Sequence, residues 1–193
     1  MMTAVPVRVI VTGEIGSGKT KACAASAARL RDLGWRTTGV ISLGVWAIDK
    51  KIAIDALDVR SGEMRRLAEH TSENCCMQGP ATPGWRFHAE TIAWCNSLLS
   101  AAADYDLLVV DELGPLEFES GEGLVQGMRA LDDGRFRLGL VVVRPRLVHA
   151  AQARWPTATV LQLHEPAETH PAVDRVLAIA GALKPLNRQS DTM

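Results

Sequence analysis

The sequence predicts an α/β fold: an open, mostly parallel sheet with helices on both faces and a small antiparallel meander. Three observations carry that reading. A short apolar strand, Pro6 to Val11, runs into a glycine-rich turn and then into Lys21 to Leu33, an Ala-rich stretch that reads as a helix stopped by Gly34. A second strand, Asp106 to Asp111, is apolar almost throughout, as expected when helices cover both faces of a parallel sheet. Strand-like and helical segments then alternate to the end of the chain.

The remaining elements follow in order. Trp35 to Ser42 is β-branched and bounded by glycines, so it is expected to be a strand. Val45 to Ile48, Ile52 to Val59 and Met64 to Ala68 are short segments separated by Asp49-Lys50 and Ser61-Gly62, the turn chemistry of a meander, with a bulge expected in the middle one. His70 to Trp85 has no periodicity and holds Gly79, Pro80, Pro83 and Gly84; it is expected to be a mobile loop. Glu90 to Ala103 and Gly121 to Leu131 read as helices, and Leu138 to Val143 as a buried strand. Leu147 to Arg154 is a short helix, Thr157 to Leu163 a last strand and Pro171 to Leu183 a closing helix. A single domain over 1–183 is expected, with a polar, disordered tail over 184–193.

Composition excludes several classes. With 21 basic and 22 acidic residues the formal charge is −1, so no global field draws the chain to nucleic acid or to an anionic membrane. No apolar run approaches the roughly 18 residues that span a bilayer, and no charged-then-apolar leader opens the chain, which reads as a cytoplasmic protein. The cysteines, Cys23, Cys75, Cys76 and Cys95, have neither zinc nor disulfide spacing and are expected as free thiols. Trp46, Trp85 and Trp94 are expected to pack in the interior, and no residue pattern indicates a protein partner.

The turn after the first strand reads Gly13-Glu14-Ile15-Gly16-Ser17-Gly18-Lys19-Thr20. Gly13, Gly18, Lys19 and Thr20 fill the fixed positions of G-x-x-x-x-G-K-[ST], a loop whose backbone N–H groups cradle the phosphates of a nucleotide. Glycines are required because side chains would block that approach. Lys19 is expected to reach the β- and γ-phosphates, and the Thr20 hydroxyl to ligate Mg²⁺. The strand before the motif and the helix after it are the context that gives such a match meaning, and they make this a P-loop NTPase fold.

Leu107 to Gly114 reads LLVVDELG, which places Asp111 at the carboxyl edge of a buried strand, where an acid holds Mg²⁺, often through water. Glu112 follows and is a candidate base for an attacking water. The alternative for Glu112 is a carboxylate that caps a loop or pairs with an arginine.

These residues resemble the THEP1-type nucleoside-triphosphatases, small P-loop proteins, over most of the chain. The similarity runs through GVISLGV at Gly39 to Val45 and DVRSGE at Asp58 to Glu63, and it is most diagnostic in DELGPLE at Asp111 to Glu117. The resemblance implies slow, Mg²⁺-dependent release of the γ-phosphate from ATP and GTP, and often from other nucleotides. It carries the phosphate role to Gly13 through Thr20, the metal role to Asp111 and the base role to Glu112, with Glu117 in a structural pairing. A basic residue near the end of the strand after the DELGPLE segment is expected to sense the γ-phosphate; Arg144 and Arg146 are both candidates there, with Arg144 the expected catalytic one and the inward-pointing side chain left open. The chain departs from the family in the loop His70 to Gly84 and after Val143.

Rival readings remain at this level. Asp111 to Gly114 fits the D-x-x-G of a GTPase switch, but no N-K-x-D segment reads guanine. A small-molecule or nucleoside kinase could use Arg144, Arg146 and Arg154 as a phosphate lid. A nucleotide-dependent binding or regulatory module would share every site residue with a hydrolase.

Overall fold

The computed structural model describes residues 5–70, 80–82 and 84–183. The described residues form one nine-stranded sheet. Strand β1 (Val7–Thr12) leads through the glycine-rich turn into helix α1 (Lys19–Asp32). Then come β2 (Thr37–Ala47), β3 (Lys50–Asp58), β4 (Met64–His70) and two short strands, β5 (Ala81–Thr82) and β6 (Trp85–Phe87). Helix α2 (Ala89–Ser100) brings the chain to β7 (Tyr105–Leu113), and a π-helical turn, Leu116–Ser120, precedes α3 (Val125–Asp133). The last part holds β8 (Phe136–Val143), α4 (Val148–Arg154), β9 (Thr159–Gln162) and α5 (Thr169–Gly181).

The strand order is β5-β6-β4-β3-β2-β7-β8-β1-β9. From β2 to β9 the pairs are parallel; from β2 to β5 they are antiparallel. Successive residues of a strand face opposite sides, and in β7 both sides are buried. Leu107 and Val109 pack with Ala27 and Leu30 of α1 and Val173 and Val176 of α5. Leu108 and Val110 pack on the other side with Leu99 of α2 and Met128 and Leu131 of α3. This two-sided covering is why residues 107–110 of β7 and 138–143 of β8 carry no charged or polar side chain.

Several elements differ from the sequence reading. Trp35 to Ser42 and Val45 to Ile48, expected as two segments, are one strand, β2. Gly44 does not end it: a Cβ there would lie 2.9 Å from both Lys51 Cε and Trp46 Nε1, so the glycine makes room for side chains crossing the strand. The expected bulge in β3 appears as a register shift between Ile54 and Asp55 against β4. Part of the expected loop His70 to Trp85 is strand, since β4 continues to His70 and β5 and β6 extend the sheet edge. The rest of it, 71–79 and 83, lies outside the described residues, as do Cys75, Cys76 and the tail 184–193. Of the tryptophans expected to pack, Trp46 is 53% exposed.

The centre of the sheet tolerates no side chain at Gly39, which pairs with Val109 across β2 and β7. Its φ is +126°, and a Cβ would lie 1.9 Å from the Val109 carbonyl oxygen. Gly39→Ala therefore combines backbone strain with a clash against main chain, and we expect a loss of about 3 kcal/mol or more of unfolding free energy in urea titration. A midpoint equal to wild type would show that the sheet can yield here.

Candidate active site

The carboxyl ends of the parallel strands meet at one cleft, the usual place for a ligand in an open α/β sheet. The phosphate loop forms one wall. Gly16 and Gly18 have φ of +85° and +94°, and Gly18 in that left-handed conformation starts α1 with no side-chain cap. No acidic residue occupies the first turn of α1, so its free N–H groups and positive dipole end face the cleft uncompensated. Gly13 is packed against β9's end: a Cβ there would lie 2.0 Å from the Leu163 carbonyl oxygen. Glu14, Ile15 and Gly16 are exposed at the loop tip, while Ser17 is buried with an unpartnered hydroxyl. Lys19 Nζ donates to the carbonyls of Gly13 at 2.8 Å and Glu14 at 2.7 Å, which folds its ammonium over the loop.

Asp111 stands at the end of β7, 1% exposed. The Thr20 hydroxyl donates to its carboxylate, and its Oδ2 has no partner among the described residues. Burial, and then the neighbouring charge of Glu112, push the Asp111 carboxyl up to about 7. A buried acid oxygen without a donor, beside a threonine hydroxyl, fits a hard divalent cation with oxygen ligands. No cluster of three His, Cys, Asp or Glu side chains suited to a metal exists among the described residues. Thr20 and Asp111 could supply only part of the ligand set for such an ion, which phosphate oxygens and water would complete.

Glu112, the next residue, does have a partner. Arg144 Nε donates to its Oε1 at 2.5 Å, with the two side chains 48% and 30% exposed. Arg144 follows the end of β8, whose Val143 pairs with Leu113 of β7. The pairing with an arginine, the alternative considered for Glu112, is present, and the residue also lines the cleft. Arg146, exposed, lines an adjoining cavity that shares Ile15, Lys19, Lys51 and Glu112 with that cleft. Arg154 is elsewhere, ion-paired with Asp132 at 2.5 Å, so it forms no lid with the other two.

Glu117 faces the main chain. Its Oε2 accepts from the Gly114 N–H and its Oε1 from the Leu124 N–H, each at 2.7 Å. The carboxylate ties the turn after β7 to the start of α3, and a Cβ on Gly123 would lie 2.1 Å from Oε1. Lys51 is the residue that sequence reasoning missed: it lines the phosphate cleft together with Lys19, Thr20 and Glu112.

Comparison with known proteins identifies the family. A protein-family model described as NTPase matches residues 8–156. The chain belongs to that NTPase family. It is a hydrolase of nucleoside triphosphates. Among its relatives, the nucleoside-triphosphatase THEP1 of Caldivirga maquilingensis is 27% identical over 147 residues, covering 76% of this chain and 77% of that one. A solution structure titled as a human cancer-related nucleoside triphosphatase superposes with a TM-score of 0.70 at 19% identity, over 92% of this chain and 100% of that one. The crystal structure of THEP1 from Aquifex aeolicus gives 0.65 at 18% identity, over 90% and 99%. At those identities the two structures establish the shared fold. Among the described residues no helix is long and apolar enough to cross a membrane.

Proposed function

We propose that the NTPase releases the γ-phosphate of ATP and GTP in a Mg²⁺-dependent reaction with weak selectivity for the base. The observation that carries this reading is the convergence, in one cleft, of the phosphate loop, Glu112 and Thr20, whose hydroxyl donates to the buried Asp111. The N–H groups of Gly13 through Gly18 wrap the phosphates, and Lys19 exchanges its loop carbonyls for phosphate oxygens. Thr20 and Asp111 would hold magnesium, which when bound would supply positive charge against the negative charge of the phosphates. Glu112 accepts the proton of a water whose oxygen bonds to the γ-phosphorus as the bond to the bridging oxygen breaks. Arg144, hydrogen-bonded to Glu112, orients that carboxylate and brings a guanidinium beside the transferred group. Free, buried Cys23 and Cys95 support placing the protein in the reducing cytoplasm.

Weak base selectivity follows from what rims the cleft. Ile15, Trp46 and Pro166 offer apolar faces instead of a hydrogen-bond pattern, and an aromatic face accepts any base. Turnover of ATP and GTP is expected to agree within about tenfold, or about 1.4 kcal/mol. Phosphate release from the four ribonucleotides, with Mg²⁺ and with excess EDTA, tests the reading. A preference of about a hundredfold for one purine, worth about 2.7 kcal/mol, would overturn the selectivity argument, and undiminished release in EDTA would overturn the metal role.

A further inference from the structure

Lys51 occupies the point where three cavities of the site meet. The first is the phosphate cleft, which it shares with Gly18, Lys19 and Thr20. The second is lined by Arg144 and Arg146 along with Gly13 and Glu14 of the phosphate loop. The third is an apolar pocket walled by Ile54, Phe87, Leu116 and Leu124, with Thr20 and Arg144 at its polar side. Glu112 is the other residue common to all three, so a cation and the proposed base frame the same spot.

The fold explains how a lysine near a hairpin turn reaches there. Strand β2 runs parallel to β7, so its far end projects at the carboxyl edge of the sheet. Strand β3 begins at that edge, and Lys51 pairs with Trp46 across the hairpin. Its aliphatic stem lies over Gly44, within the space a Cβ would fill. The ammonium is 5.4 Å from the centroid of the Trp85 ring, and no carboxylate closes a salt bridge with it among the described residues. Burial pulls the Lys51 ammonium down, while the charges of Glu112 and Asp111 push it back up and Arg144 and Lys19 oppose them. A partly desolvated cation beside two others gains most from an anion brought between them.

Arg144 differs in this respect. Its Nε is committed to Glu112 at 2.5 Å, so turning it fully to phosphate would unpair the base. Lys51 has no such bond to break among the described residues. Resting on the triphosphatase reading above, we propose that Lys51 is a catalytic residue, the cation that meets the γ-phosphate oxygens as charge redistributes during transfer. The bonds made and broken are those of the hydrolysis already described; Lys51 adds charge and takes no proton.

The full-length chain tests this through Lys51→Met, which keeps the stem and removes the charge, and Lys51→Arg, which keeps the charge. For Lys51→Met, kcat is expected to fall about 100-fold while Mg-ADP affinity, by calorimetry, stays within about twofold. ADP with aluminium fluoride, a mimic of the transferring phosphoryl, should lose affinity by a comparable factor. Lys51→Arg should recover at least about a tenth of the wild-type rate, which a packing role for the ammonium over Trp85 would not require. A Lys51→Met rate within about threefold of wild type overturns the inference, as does a fall in kcat that is matched by equal weakening of Mg-ADP and unrelieved by arginine. A wild-type protein that releases no phosphate sinks the parent reading as well; a working wild type beside an unimpaired Lys51→Met sinks this inference alone.

Discussion

Lys19→Ala is expected to cost the protein both nucleotide affinity and turnover, with kcat/KM falling about 1,000-fold or more. Lys19 sits one residue into α1 and reaches back to the Gly13 and Glu14 carbonyls at 2.8 and 2.7 Å. Its charge is thus held over the loop before any phosphate arrives, and little side-chain entropy is left to lose on binding. Alanine removes that charge from the ground state and the transition state together, so KM and kcat both suffer. Removing two hydrogen bonds also slackens the loop, at about 1 kcal/mol each, which circular dichroism and thermal unfolding would register separately from binding. Calorimetry with a non-hydrolysable triphosphate is the decisive measurement. An affinity within about threefold of wild type would mean that the loop N–H groups and the metal carry binding without the lysine.

The phosphate loop was legible because its chemistry restricts residue type at fixed spacing: glycines for the wrap, lysine and hydroxyl at the helix start. Strand β7 was legible for a different reason, since a strand buried on both faces must be apolar and its acid end then stands out. Gly44 was misread as a boundary because a glycine inside a strand looks the same as one that ends it; the side chains it accommodates come from across the hairpin. Lys51 was hidden likewise. In the segment Asp49-Lys50-Lys51 it reads as a solvated turn charge, and only the antiparallel return of β3 carries it to the phosphate cleft. A signal was available in principle, because a hairpin extending from a strand parallel to β7 must turn at the ligand edge of the sheet. The Arg144–Glu112 pair depends on β7 and β8 being neighbours, which the order of elements along the chain does not specify.

Glu112→Gln is expected to separate chemistry from binding, lowering kcat by about 100- to 10,000-fold while triphosphate affinity is kept or slightly raised. The substitution preserves shape. The Gln side-chain oxygen can still accept from Arg144 Nε, so the contact now at 2.5 Å persists as an ordinary hydrogen bond without its ionic component. Arg144 is then held less firmly and is freer to meet phosphate, which is why affinity should not drop. Arg144→Ala should cost less than the glutamine change, because it leaves the base in place but unoriented. If the two residues act as a unit, the double variant will be little slower than Glu112→Gln alone, and rates that multiply would show independent roles. Single-turnover phosphate release resolves the two cases. A wild-type rate in Glu112→Gln would remove the base role outright and leave the glutamate as a structural partner of Arg144, with Asp111 and the loop carrying the reaction.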